Sequence, residues 1–343
     1  MKGAGRALLS AALFGLATPA AKGLLAGVPA QLLGGLFYLG SGAGLGAVWL
    51  ATRARRAERE APLARRDLGW LLGATAFGGV LAPPLQLLGL ARCSSSTASL
   101  LLNLEGIFTA LIAWVVLREH MHRRTAVGSA LITLGALALS ASGPPGRDAV
   151  LGPLLVASAC LCWAIDNNLT QKVAAGDPLQ VAALKGLVAG AVNVALAGAS
   201  WPSPARTAAA LAIGFAGYGL SLVLFVQALR ELGVARTSAY FSLAPFAGAL
   251  AGVLIWRDAV TPALAVAAAL MGAGVWLHAT EDHAHEHTHE PVEHTHAHVH
   301  DEHHAHAHEP GAPAGEPHSH PHRHAPLTHA HPHYPDIHHR HDH

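Results

Sequence analysis

The chain has 343 residues, 52% of them hydrophobic and only 13% charged, where an ordinary soluble domain is roughly a quarter charged. Its net charge of +1 is a cancellation: residues 1–280 carry 20 Lys and Arg against 10 Asp and Glu, while residues 281–343 carry 2 against 11. The basic side chains lie in short gaps between apolar runs and not on one face of a soluble module, which excludes nucleic acid as a partner and points to the lipid bilayer.

Ten apolar runs precede residue 280, each long enough to cross about 30 Å of hydrocarbon. The first, 7–27, follows Met1, Lys2 and Arg6 and contains Thr18-Pro19 and Lys22. Its small residues at Ala17 to Ala21 resemble a signal-peptide cleavage site, but its counterpart later in the chain favours an uncleaved span. Next come 30–51, then 68–90 with Pro83-Pro84 inside it, then 97–117 with Asn103 and Glu105 in its interior. A short fifth span covers 125–142; the sixth, 149–170, holds Cys160, Cys162, Trp163, Asp166 and Asn167. The seventh, 179–199, carries Lys185, and 208–229, 236–256 and 260–279 complete the set. Alternating ten-residue strands of a barrel are absent from the pattern, so the fold class is all-α integral membrane. The cysteines read as packing residues, because Cys160 and Cys162, two apart on a helix, point in different directions.

Lys and Arg in the connections set the orientation. With the N-terminus inside, the inner side collects fourteen, including Arg53, Arg55, Arg56, Arg65, Arg118, Arg123 and Arg124; the outer side collects five, Lys22, Arg92, Arg147, Arg206 and Arg257. Both termini are therefore expected in the cytoplasm, at a bacterial-type inner membrane.

The two halves repeat. Ala98 to Glu119 aligns with Thr237 to Asp258 at a spacing of 139, ending in Arg118-Glu119 and Arg257-Asp258. Upstream, Phe14-Gly15 and Pro29-Ala30-Gln31 match Trp163-Ala164 and Pro178-Leu179-Gln180 at a spacing of 149. Residues 1–142 and 143–280 are thus expected to form two five-helix repeats. An odd number of spans inverts the second copy, a device of secondary transporters.

Ten spans in two halves, with FGLATPAAK in the first span and LLLNLEGIFTALIAWVVLRE in the fourth, resemble the EamA-type members of the drug/metabolite transporter superfamily over about residues 7–279. That family typically closes its fourth and ninth spans with a Gly-Glu pair or a similar acidic residue. Glu119 and Asp258 occupy those places, behind Arg118 and Arg257 instead of glycine. The resemblance implies transport of a small-molecule solute and leaves the solute open.

Polar groups at membrane depth are the candidates for the transport path, since a charge there is costly. They are Glu105 with Asn103, Asp166 with Asn167, Lys22 and Lys185. On the predicted topology Lys22 and Glu105 share the outer half, and Asp166 and Lys185 the inner half, so each half has one candidate ion pair. Helix-to-helix structural pairing, or snorkelling near span ends, is the competing reading for Lys22, Lys185 and Asp166. Pro19 breaks the first helix where freed backbone groups could meet a solute, and Trp163 could stack on one. Trp256 and Trp276 read as interfacial anchors.

Of the 26 histidines, 23 lie between His283 and His343. Composition this biased builds no core, so residues 281–343 read as a disordered tail. Its ligand candidates are His283, His285, His287, His289, His294, His296, His298, His300, His303, His304, His306, His308, His318, His320, His322 and His324. Imidazole suits Zn, Ni, Co or Cu, so these transition-metal ions are expected partners, while the core requires no cofactor.

The leading reading is a secondary transporter of a small organic metabolite or drug with a cytoplasmic metal-binding tail. A divalent-metal transporter loaded by the tail and a membrane-anchored metal-sequestering protein are the alternatives. The core offers no cofactor motif or nucleophile-base set for an enzyme, and the His-x-x-x-x-Asp-His motif of nickel and cobalt permeases is absent. A homodimer is a candidate assembly.

Overall fold

The computed structural model describes residues 2–53, 67–116, 123–141, 147–171, 173, 177–198 and 201–280, and the backbone of four short tail segments. Ten helices among the described residues are long and apolar enough to cross a membrane. They are α1 (Gly3–Leu25), α2 (Ala30–Thr52), α3 (Leu68–Leu90), α4 (Ser95–Val116), α5 (Arg123–Ala141), α6 (Val150–Gln171), α7 (Pro178–Ala197), α8 (Pro204–Leu229), α9 (Arg236–Trp256) and α10 (Pro262–Ala279). The ten spans read from the sequence are these helices, within a few residues at each end.

Side-chain caps set several starts. Ser94 Oγ accepts from Thr97 N at 3.1 Å before α4, Asp177 Oδ1 from Leu179 N at 2.9 Å before α7, Ser203 Oγ from Arg206 N at 3.4 Å before α8, and Thr261 Oγ1 from Leu264 N at 3.1 Å before α10. Each satisfies a backbone donor that the helix leaves open. Pro178, Pro204 and Pro262 follow the last three caps, where a missing N–H costs nothing.

The packing follows the duplication. α2 lies along α7 and α5 along α10, each helix against its own counterpart, while α3 on α6 is mirrored by α8 on α1, and α4 on α6 by α9 on α1. Bare glycines allow the self-paired helices to touch. A Cβ on Gly42 would lie 2.5 Å from Leu187 N, and one on Gly186 2.7 Å from Gly42 Cα; a Cβ on Gly128 would sit 2.9 Å from Gly274 O, and one on Gly274 2.6 Å from Gly128 O. Small residues are the usual means of close helix approach where lipid removes the hydrophobic drive.

Four helices are irregular, again in matched places. α3 widens into a π-helix over Thr75–Leu81 and α8 over Phe215–Leu220. α4 is interrupted between Leu101 and Leu104, and α9 between Phe241 and Ala244. The interruption residues Asn103 and Ser242 stand 139 apart, the repeat spacing.

Within the tail, Ala284–His289 pairs antiparallel with Leu327–Pro332 and Glu293–His298 with His318–Arg323. These two-stranded ladders are the only strands among the described residues, and two strands without a covering layer are marginal by themselves. The tail's histidine side chains lie outside the described residues, as do Arg118, Glu119 and most of the basic connection after α2.

Candidate functional site

The interruptions of α4 and α9 border a cavity of about 380 Å³. Its floor is Leu102, Asn103, Glu105 and Ile107 of α4 with Ser242, Ala244 and Pro245 of α9, and its walls add Phe14 of α1, Ile132 of α5, Phe225 of α8 and Val275 of α10. His278 and Ala279, in the last turn of α10, also line it, as does Ser238 near the start of α9. The ends of α8 and α10 and the start of α9 lie on the face from which α1 begins, so the cavity reaches toward that face.

Glu105 brings the one carboxyl among the lining residues. Its Oε1 accepts from Asn167 Nδ2 at 2.9 Å, and the same amide reaches Thr109 Oγ1 at 3.3 Å. Asn103 Nδ2 donates to Leu100 O at 2.9 Å, supplying a partner to a carbonyl at the helix break. The repeat spacing carries Asn103 to Ser242 but Glu105 to Ala244, so the acid has no copy in the second half. Phe241 joins Phe14 and Phe225 at ring-centroid distances of 5.3 and 5.0 Å, giving the cavity an aromatic side. His278 Nε2 lies 3.0 Å from Thr125 O and 3.5 Å from Ser129 Oγ at the rim.

Asp166 and Lys185 do meet, Nζ to Oδ1 at 2.5 Å, with Thr170 Oγ1 2.8 Å from the same carboxyl oxygen. The pair lies against Gly78, where a side chain would strike the Asp166 carboxylate, and neither partner lines the cavity. The second expected pair, Lys22 with Glu105, does not form. Lys22 Nζ instead donates to Leu90 O and Cys93 O, both at 2.6 Å, because it lies at the C-terminal end of α1 beside the last carbonyls of α3, where a cation is favourable. The neighbouring Cys93 thiol donates to Gly89 O at 3.2 Å, and burial pushes it up to about 11, so it is a neutral packing group.

Trp163 is buried away from the cavity. Its Nε1 donates to Gly78 O at 3.0 Å, beside Tyr38 Oη at 2.7 Å from the same carbonyl. The reason lies in α3: a π-turn would pair Gly78 O with the nitrogen of Pro83, which carries no hydrogen, so side chains fill the place. Gly79 O is met likewise by Asn193 Nδ2 at 2.8 Å. Phe14, the counterpart of Trp163 at spacing 149, makes the matching contact on the other π-helix, edge-on to Tyr218 at 5.7 Å, and it is Phe14 that faces the cavity. Pro19 O accepts from Trp256 Nε1 at 2.9 Å, tying α1 to the end of α9.

Sequence reasoning missed Phe14, Phe225, Phe241, Ser238, Ser242 and His278 as cavity residues. The repeat register held part of the signal, since it carries the polar Asn103 onto the polar Ser242. Asp258, expected from the repeat as the acid that ends the ninth span, has a partner the sequence did not announce: its Oδ2 accepts from Ser96 N at 2.7 Å and so closes the N-terminal end of α4.

Two sets of five helices, inverted by their odd number and enclosing a cavity at matched helix breaks, define a multi-pass membrane transporter of small solutes. The chain belongs to the EamA-like transporter family, whose model matches residues 1–141 and again 150–280. It is 29% identical over 232 residues to an uncharacterized transporter of Methanothermobacter thermautotrophicus, covering 65% of this chain and 68% of that protein. It is also similar to the uncharacterized transporter YyaM of Bacillus subtilis, 25% identical over 170 residues. That match takes in 46% of this chain and about half of the relative, 55%. A solved crystal structure shares the fold at a TM-score of 0.57 and 21% identity, over 80% of this chain and 94% of that one.

Proposed function

We propose that the chain is a secondary transporter that moves a small organic metabolite or drug by alternating access. The observation that carries the reading is a cavity at the two helix breaks whose lining runs toward one face, while hydrogen bonds join the helix ends at the other. The ties are Lys22 on the end of α3, Trp256 on Pro19 O and Asp258 on the start of α4. The sequence assigns fourteen Lys and Arg to the side on which α1 begins, which makes the cavity's face the cytoplasmic one of a bacterial-type inner membrane, with both termini there and the conformation inward-facing. Apolar walls with a single carboxyl suit an organic solute better than a hydrated divalent ion, which takes several oxygen, nitrogen or sulfur ligands. The test is accessibility of Ser238→Cys in sealed inside-out and right-side-out vesicles. A membrane-impermeant maleimide is expected to label it from the cytoplasmic side alone, with solute in excess slowing the reaction; labelling from the outer side alone would sink the reading.

The His-rich tail serves as a cytoplasmic transition-metal ligand, a reading that rests on its His-x-His runs. Full-length protein should retain zinc or nickel through dialysis, at least tenfold more per chain than a truncation after Thr280, while the truncation keeps solute flux. If the core alone alters cell metal content, the metal-transporter reading replaces this one.

A further inference from the structure

Resting on the transporter reading above, we propose that the cavity selects an organic cation, a protonated or quaternary amine attached to an apolar body of about one aromatic ring.

Glu105 has one side-chain hydrogen bond among the described residues, from the neutral amide of Asn167. No cation pairs with it there: Lys185 is held by Asp166, and Lys22 by two backbone carbonyls. The remaining polar lining, Asn103, Ser238, Ser242 and His278, brings no fixed positive charge. A carboxylate in a mostly apolar cavity without a cationic partner is the costly arrangement, and a ligand cation relieves it. An anion would meet Glu105 with no lysine or arginine in the lining to oppose it. Phe14, Phe225 and Phe241 line the same cavity and touch one another, and aromatic rings attract an ammonium group and cover its apolar body. The volume of about 380 Å³ lies at the small end of organic ligand pockets. Asp166, the other membrane acid near by, is already neutralised and off the cavity, so discrimination falls to Glu105 alone.

The test uses the full-length protein in lipid nanodiscs, with four probes that each carry one phenyl ring on a short polar arm: benzyltrimethylammonium, phenethylamine, neutral 3-phenylpropanol and anionic phenylacetate. The two cations are expected to bind at least tenfold more tightly than the alcohol, and phenylacetate not to bind. Glu105→Gln should lose about tenfold for the cations and nothing for the alcohol, with Glu105→Asp intermediate. Equal binding of alcohol or phenylacetate to the wild type overturns the proposal whether or not the variants fold, and so does unchanged cation binding in a folded Glu105→Gln. Counterflow in proteoliposomes separates the two readings. Cations that bind but never exchange across the membrane refute the transporter and leave the selectivity standing, whereas exchange of neutral or anionic solutes without cation binding does the reverse.

Discussion

Arg257 stands at φ 55°, the one non-glycine residue with positive φ among the described residues. It closes α9 in the left-handed conformation that favours glycine at a helix end, and the turn it makes delivers Asp258 to Ser96 N. The Gly-Glu pair of the resembling family thereby acquires a physical reason: the first residue turns and the second caps a helix of the other repeat. Arg257→Gly should raise the melting temperature in detergent, by the equivalent of about 0.5–1 kcal/mol, the left-handed penalty less the entropy of a freer chain. Asp258→Ala should lower stability by about 1 kcal/mol, the usual loss of a cap, and Asp258→Asn by less, since the amide oxygen still accepts. The same pair shows the limit of reading residues one at a time. The acid's position was legible from the repeat, but its partner lies 162 residues away, and no local pattern announces a cap supplied across the fold. Lys22 misled for a similar reason. Charge and depth suggested Glu105, whereas two backbone carbonyls lay closer.

At the scale of elements, span number and span limits were legible because lipid enforces long apolar runs. The π-helices and breaks were not, since a helix that changes register keeps its apolar composition. Pro83-Pro84, inside the third span, stands at one such place, and the structure shows its form: a π-turn whose freed carbonyls are met by Tyr38, Trp163 and Asn193. Asn193→Leu leaves Gly79 O buried without a partner and should cost about 1–3 kcal/mol, read as a lower unfolding midpoint. Glycine contacts give a sharper comparison. Gly42→Ala forces α2 from α7, where the added atom would lie 2.5 Å from Leu187 N, whereas Gly46 has nothing within 4 Å. Gly42→Ala should therefore destabilise or fail to assemble, and Gly46→Ala should stay within about 1 kcal/mol of the parent on the favourable side; similar melting for the two would refute the close packing.

Across the whole molecule, two nearly equivalent halves hold different states. Trp163 is locked on the α3 π-turn by hydrogen bonds, while its counterpart Phe14 lines the cavity beside the α8 π-turn. If the halves exchange these roles during transport, weakening the ties on the closed face should favour the opposite opening. Trp256→Phe, which removes the bond to Pro19 O, is expected to slow labelling of Ser238→Cys from the cytoplasmic side severalfold, and faster labelling would contradict the exchange. One further consequence belongs to the end of α10. Val275, His278 and Ala279 form cavity wall, and the backbone of Thr280, gripped by Arg124 at 2.9 Å, is where the tail takes off. A load on residues beyond 280, such as a metal gathered there, would thus be applied within about one helical turn, 5.4 Å, of side chains that line the cavity.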